Sequence, residues 1–169
     1  MMKRRGFLLS LAMALLATPS QAVEDPGRAV IGRLLVSVYH ATDGDPKVAG
    51  ERAKKVPDDV AERLRKEDKL RFKNYRLLGE DTEPLFRSYE NWAQPLKPSD
   101  EVLVRFEAQG HATRKSAPVD LELWIRRQKI IKTDAKLEGS TPLYVLGPEW
   151  RGGRLIIAVA LAPAAKKGS

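Results

Sequence analysis

The sequence predicts an α+β fold that is mostly antiparallel β, with a strand–helix–strand front followed by a β-sandwich-like set of about five strands. Three observations predict it. From residue 100 onward, apolar and polar residues alternate in short runs separated by turn signals, as in sandwiches. Between the first strand and residue 68, Val56, Val60 and Leu64 lie four apart, the spacing of one helical stripe. Leu155 to Leu161 (LIIAVAL) is apolar on both faces, as expected of a central strand covered on both sides.

The chain has 169 residues, which suits one globular domain, expected over residues 30–162. Residues 23–29 read as a flexible lead-in and residues 163–169 (PAAKKGS) as a flexible tail. Residues 30–40 (VIGRLLVSVYH) are rich in β-branched and aromatic types and form the first expected strand. Asp-Gly and Asp-Pro within residues 41–46 mark a loop. The helix is expected to open at Pro57, with Asp58 and Asp59 at the positive end of its dipole. It is expected to end near Glu67, after Arg63, Arg65 and Lys66 at the negative end.

Residues 69–78 (KLRFKNYRLL) alternate as a strand whose phase slips by one, so a bulge is expected near Asn74. Residues 79–84 (GEDTEP) read as a turn, and residues 85–99 as irregular chain with Phe86, Tyr89 and Trp92 three apart. Strands are then expected at 101–108, 119–126, 130–137, 143–146 and 155–161. Arg127-Gln128-Lys129 makes a hairpin, Gly147-Pro148 ends the fourth of these strands, and Gly152-Gly153 makes a tight turn after a plugging Trp150.

The first twenty-two residues read as an export address. A basic start, Met1 to Arg5, precedes a charge-free apolar run from Gly6 to Ala17. Ser20 and Ala22 occupy the small-residue positions before a cleavage site after Ala22. The apolar run falls short of the ~20 residues that span a bilayer. Arg4-Arg5 is compatible with twin-arginine export, while the absence of a cofactor motif in the remaining chain favours the Sec route. The expected destination is the periplasm or the extracellular space, with no transmembrane segment after cleavage.

The formal net charge is +8, and three basic residues leave with the signal, so the processed chain carries +5. All of that excess lies in residues 52–76, with ten basic and five acidic side chains; the rest of the processed chain balances. Within this segment Lys69, Arg71, Lys73 and Arg76 are candidate contacts to an acidic partner, either an envelope protein or an anionic polymer. The competing reading is a solvated helix beside a lysine-bearing edge strand. A nucleic acid partner is not expected, because export removes it and no basic–aromatic reading surface extends beyond this segment.

Chemistry is sparse. The chain has no cysteine, which excludes disulfides, zinc ribbons and thiol nucleophiles together. No Gly-x-Ser-x-Gly, phosphate-binding glycine loop or His-Glu-x-x-His occurs, and no cofactor is expected. His40 and His111 are the candidates for a metal or acid–base site with Asp43 or Asp45, as a small hydrolase or metal binder would need. Trp124 sits between Glu122 and Arg126 on an otherwise polar strand face. It is a candidate binding hot spot or, with Trp92 or Tyr89, a carbohydrate-stacking platform if the rings are coplanar and exposed.

Two stretches carry a resemblance: residues 72–79 (FKNYRLLG) and residues 147–156 (GPEWRGGRLI). On these the chain resembles a group of exported bacterial β-rich proteins of unknown function. The resemblance implies a helix, an aromatic strand ending in Leu-Leu-Gly, several polar–apolar strands and a final Gly-Gly-x-Leu-Ile strand. It implies no activity. Together the readings point to an exported binding module of the envelope, more readily than to an enzyme.

Overall fold

A computed structural model describes residues 24–163. The expected signal peptide, 1–22, and nearly all of the expected tail lie outside the described residues. The elements are β1 (Val30–Thr42), β2 (Lys54–Lys55), α1 (Asp58–Lys66), β3 (Asn74–Phe86), β4 (Asn91–Ala93), β5 (Val102–Ala108), β6 (Ser116–Ile125), β7 (Gln128–Glu138), β8 (Leu143–Trp150) and β9 (Gly153–Leu161).

They build two antiparallel sheets. Sheet A has the order β2-β3-β1-β9-β8, and sheet B the order β4-β5-β6-β7. The strand–helix–strand front and the later strands therefore share one sandwich, since β1 and β3 belong to the same sheet as β8 and β9.

Alternation explains the layers. In β1, Leu34, Val36 and Val38 point into the sandwich, where they meet Leu155, Ile157 and Val159 of β9 and Phe106, Leu121 and Leu123 of sheet B. The intervening residues Tyr39 and Ala41, with Ile156 and Ala158 of β9, point the other way and pack against Val56, Ala61, Leu64 and Leu70. Sheet A is thus covered by sheet B on one face and by α1 on the other. That double cover is why LIIAVAL is apolar throughout: β9 lies between β1 and β8 and is buried from Leu155 to Leu161.

α1 has Asp58 and Asp59 in its first turn and Arg63, Arg65 and Lys66 in its last, complementing the dipole. Pro57 is its N-cap, one residue earlier than expected, and Leu64 of the apolar stripe is fully buried. β5, β6 and β7 fall close to their expected spans, whereas β4 lies in the stretch 85–99 expected to be irregular.

Several local expectations are corrected. The lead-in is pinned: Asp25 caps the short 3-10 turn Pro26–Arg28, Ser88 N–H donates to the Gly27 carbonyl, and Tyr89 donates to Asp25. Residues 69–73 are not strand. Asp68–Leu70 is a 3-10 turn that drops Leu70 beneath the helix, and the Tyr75 hydroxyl holds the Leu70 carbonyl and the Phe72 amide at 2.8 and 2.9 Å. The β1–β3 register shifts lie between Val30 and Gly32 and between Val38 and Tyr39, the latter opposite Gly79 and Leu77, not at Asn74.

GEDTEP is strand, not turn. β2 pairs only with Leu77 and Arg76, so the far edge of β3 from Leu78 to Phe86 has no strand partner and tolerates Pro84. Segment 91–97 covers this edge. Asp81 accepts from the Gln94 amide at 2.7 Å, Asn91 donates to the Pro84 carbonyl, and a Cβ on Gly79 would stand 2.1 Å from the Pro95 carbonyl oxygen. Burial would raise the Asp81 carboxyl, but the Gln94 amide and the Lys97 ammonium outweigh it and hold it below its ordinary value.

β8 runs past Gly147-Pro148 to Trp150 because a register shift between Leu146 and Glu149 absorbs the proline. The β8–β9 turn is Arg151-Gly152, both at positive φ, the geometry of a two-residue hairpin. The β6–β7 turn has the same geometry at Arg126 (φ 50) and Arg127 (φ 64), where no glycine or asparagine announces it.

Candidate binding face

The basic segment 52–76 folds into β2, α1, the 3-10 turn and the start of β3: α1 and the turn form the outer layer over sheet A, and β2 with the start of β3 forms the sheet edge beside it. Its apolar residues face inward, so its charges face out. Nine of its ten cations are exposed, and Arg76 is half-buried between its backbone neighbours His40 and Lys55.

Among the described residues three of these cations form ion pairs, Lys55 with Asp58, Arg63 with Asp59 and Arg71 with Asp68, each three or four positions away and exposed. Exposed pairs of this kind contribute little to stability, about 0.3–0.5 kcal/mol. Arg52, Lys54, Arg65, Lys66, Lys69, Lys73 and Arg76 have no carboxylate within ion-pair distance among the described residues.

Part of this layer is concave. Lys55, Arg65, Lys73 and Arg76 line a depression of about 170 Å3 beside Val56, Ala61 and Tyr75, with Asp58 its one acidic residue. Arg65 is held in place there. Its guanidinium lies 5.5 Å from the Tyr75 ring centroid and donates to the Lys73 carbonyl at 3.3 Å. The opposite wall is pinned too, because the Lys73 amide donates to Asp43 at 2.9 Å and the Asn74 side chain donates to the Gly44 carbonyl at 2.9 Å. A second depression, about 400 Å3, has Arg52 and Lys54 facing Glu80 and Asp81, so its charges oppose one another.

Of the sequence candidates, Lys73 and Arg76 come together in the smaller depression. Lys69 stands outside it on the exposed 3-10 turn, and Arg71 is occupied by Asp68 and by the Arg65 carbonyl. Sequence reading missed Arg65 and Lys55 as members of the group. Arg65 follows the buried Leu64 by one position, so the helical period already puts it beside the apolar stripe.

Trp124 lies in the other layer, on the outer face of sheet B. Its indole N–H donates to Glu122 at 3.0 Å, Lys129 lies 5.2 Å from its ring centroid, and Trp92 stands 6.0 Å away with the rings tilted by 54°. The rings are not coplanar, and Tyr89 is elsewhere, bonded to Asp25. Around this pair the charges neutralise one another. Arg105 meets Glu90, Glu107, Asp120 and Glu122, while Lys132 meets Asp120 and Glu122. The Lys129 ammonium holds the Glu122 carboxyl below its ordinary value, against desolvation.

His40 is fully buried at the end of β1. Its Nε2 bonds the Trp150 carbonyl at 3.1 Å, its ring meets Trp150 edge-on at 5.5 Å, and its Nδ1 is buried with no partner. A carbonyl only accepts, so the bond places the proton on Nε2. Burial pushes the imidazole below its ordinary value, against the Trp150 and Arg151 backbone. His111 is exposed in the β5–β6 loop, and no hydrogen bond or ring contact joins it to His40. Among the described residues no group of three or more His, Asp or Glu is placed to hold a metal ion, and no helix is long and apolar enough to cross a membrane.

No family model, no curated protein and no solved structure matches this chain.

Proposed function

We propose that this protein is an exported binding module of the bacterial envelope, and that it holds an acidic partner on the basic outer layer formed by residues 52–76. One observation carries the reading: the cations of this segment stand exposed and largely without carboxylate partners, while those on the strands of the opposite outer face are matched by acids. Leaving several like charges unpaired in one layer costs self-repulsion, which an acidic partner relieves. Export rests on the expected signal at residues 1–22.

The test is cross-linking in intact cells that export the protein, followed by its capture and mass spectrometry. A parallel capture uses Lys54→Glu, Lys66→Glu and Lys69→Glu together, three exposed cations outside the small depression. The reading expects a reproducible acidic partner with the native chain and its loss with the reversed one. Recovery of the same partners with both chains, or of the protein alone with both, overturns it.

A further inference from the structure

We infer that the depression lined by Lys55, Arg65, Lys73 and Arg76 is a site for a single phosphate group, the anchoring point of an acidic partner on the basic layer. This deepens the reading proposed above and rests on it. Four basic residues line it, Lys55 of β2, Arg65 of the last turn of α1, Lys73 just before β3 and Arg76 within it, against the single carboxylate of Asp58. Lys55 takes that carboxylate at 3.5 Å, leaving Arg65, Lys73 and Arg76 without an anionic partner.

The site is also prearranged. Arg65 is fixed by the Tyr75 ring and the Lys73 carbonyl, and the Lys73–Asn74 wall is tied to the Asp43–Gly44 loop. The Arg65–Lys73 bond uses one guanidinium donor and leaves the others of the fork free. Fixing Arg65 and the backbone of the facing wall beforehand removes ordering cost from binding.

The chemistry selects the ligand. Guanidinium and ammonium donors drawn from different elements suit a tetrahedral oxyanion, which accepts hydrogen bonds in several directions, better than a flat carboxylate. The volume, about 170 Å3, is below the ~300 Å3 at which pockets enclose whole small molecules, so the site takes a headgroup, not a nucleotide. The apolar floor of Val56, Ala61 and Tyr75 carries no further carboxylate to repel it. A phosphate group reaches such a site from a soluble phosphomonoester or from a phospholipid headgroup, and the test separates the two.

The protein purified after export is titrated with inorganic phosphate at constant ionic strength, following backbone amide resonances, with acetate as the flat-anion control. In parallel it is sedimented with vesicles of phosphatidylcholine alone and of phosphatidylcholine with phosphatidylglycerol. Both are repeated on Arg65→Gln with Arg76→Gln and on Lys69→Gln, which lies outside the depression. The inference expects saturable shifts at Lys55 and at Lys73 to Arg76 with phosphate and none with acetate. It expects binding about tenfold weaker or more in the Arg65/Arg76 variant and unchanged in Lys69→Gln. Binding to phosphatidylglycerol vesicles that the Arg65/Arg76 variant loses, without response to free phosphate, supports the site and assigns the lipid source.

Equal binding by the native chain and the Arg65/Arg76 variant overturns the inference, as does no response to phosphate or to either vesicle. If the inference fails while the native chain still captures a partner that the Lys54, Lys66 and Lys69 reversal loses, the binding-module reading stands without this site. If that capture fails as well, both fall.

Discussion

The two outer faces of the sandwich carry charge in opposite ways. On sheet B, antiparallel pairing sets Arg105 beside Glu122 and Glu122 beside Lys132, and the same two cations reach the facing carboxylates of Glu107 and Asp120, so charges from different strands neutralise one another. On the helical layer over sheet A, a charge finds a mate only three or four residues along the same segment, and just three pairs form. Ladders match charges from distant parts of the sequence; a short helix and a turn do not. The basic excess of residues 52–76 therefore lies where the fold offers few partners, which leaves these charges open to another molecule.

Core substitutions sharpen the contrast between layers most strongly. Phe106 is fully buried between the sheets, and Phe106→Ala is expected to lower global stability by about 3–5 kcal/mol in urea unfolding. Leu64→Ala, at the helix–sheet A contact, is expected to cost about 2–5 kcal/mol. Amide exchange in that variant should speed up first in residues 54–72, with β5 and β6 still protected. Simultaneous loss of protection in both layers would show that the helical layer is not separable from the sandwich.

The cover over the β3 edge is next. Gly79→Ala forces a Cβ against the Pro95 carbonyl and is expected to cost about 1–3 kcal/mol, read as a lowered urea midpoint. An unchanged midpoint would mean that segment 91–97 does not press on β3.

His40 gives the pH dependence. Its folded-state pKa is lowered, so the unfolded chain binds the extra proton first. The contribution of this group to stability is complete above its ordinary value of 6.5 and declines as pH falls below that. His40→Gln, which keeps an N–H for the Trp150 carbonyl, is expected to flatten this part of the stability–pH curve. A curve of unchanged slope would assign the acid sensitivity to other groups.

The smallest stability effects belong to the charged faces themselves, and here the comparison is most easily broken. Arg65→Gln is expected to change stability by no more than about 0.5 kcal/mol, as at most surface positions. Arg105→Gln removes the most shielded cation beside the carboxylates of Asp120 and Glu122, leaving them to the more exposed Lys129 and Lys132, and is expected to lower the melting temperature measurably. Equal effects at the two arginines would contradict the distinction between matched and unmatched faces.

Much of this architecture is legible in the sequence because burial on one face or two leaves a period. The alternation of β5, β6 and β7 marks one-sided strands, and LIIAVAL marks the strand with cover on both sides. The second half of β3 is not legible. Its glycine answers to a carbonyl 16 residues away and its proline to an absent edge partner, so locally it spells a turn. The alternation of Lys69 to Lys73 misleads in the opposite sense, since Leu70 is buried by a 3-10 turn and not by a sheet. At the candidate face, the charge excess of 52–76 is readable by counting. Which cations converge is not, because that depends on how α1 lies beside β2 and β3.

The most direct test of the central claim is a matched charge reversal. Lys54, Lys66 and Lys69 are changed to Glu in one variant, and Arg114, Lys115 and Lys136, exposed on the sheet B side, in another. Both variants undergo the same change in net charge, and their in-cell cross-linked partners are compared with those of the native chain. The account predicts that the first variant loses the partner and the second keeps it. Equal loss in both would mean that net charge, not the helical layer, determines the association, and retention in both would remove the basic layer from it altogether.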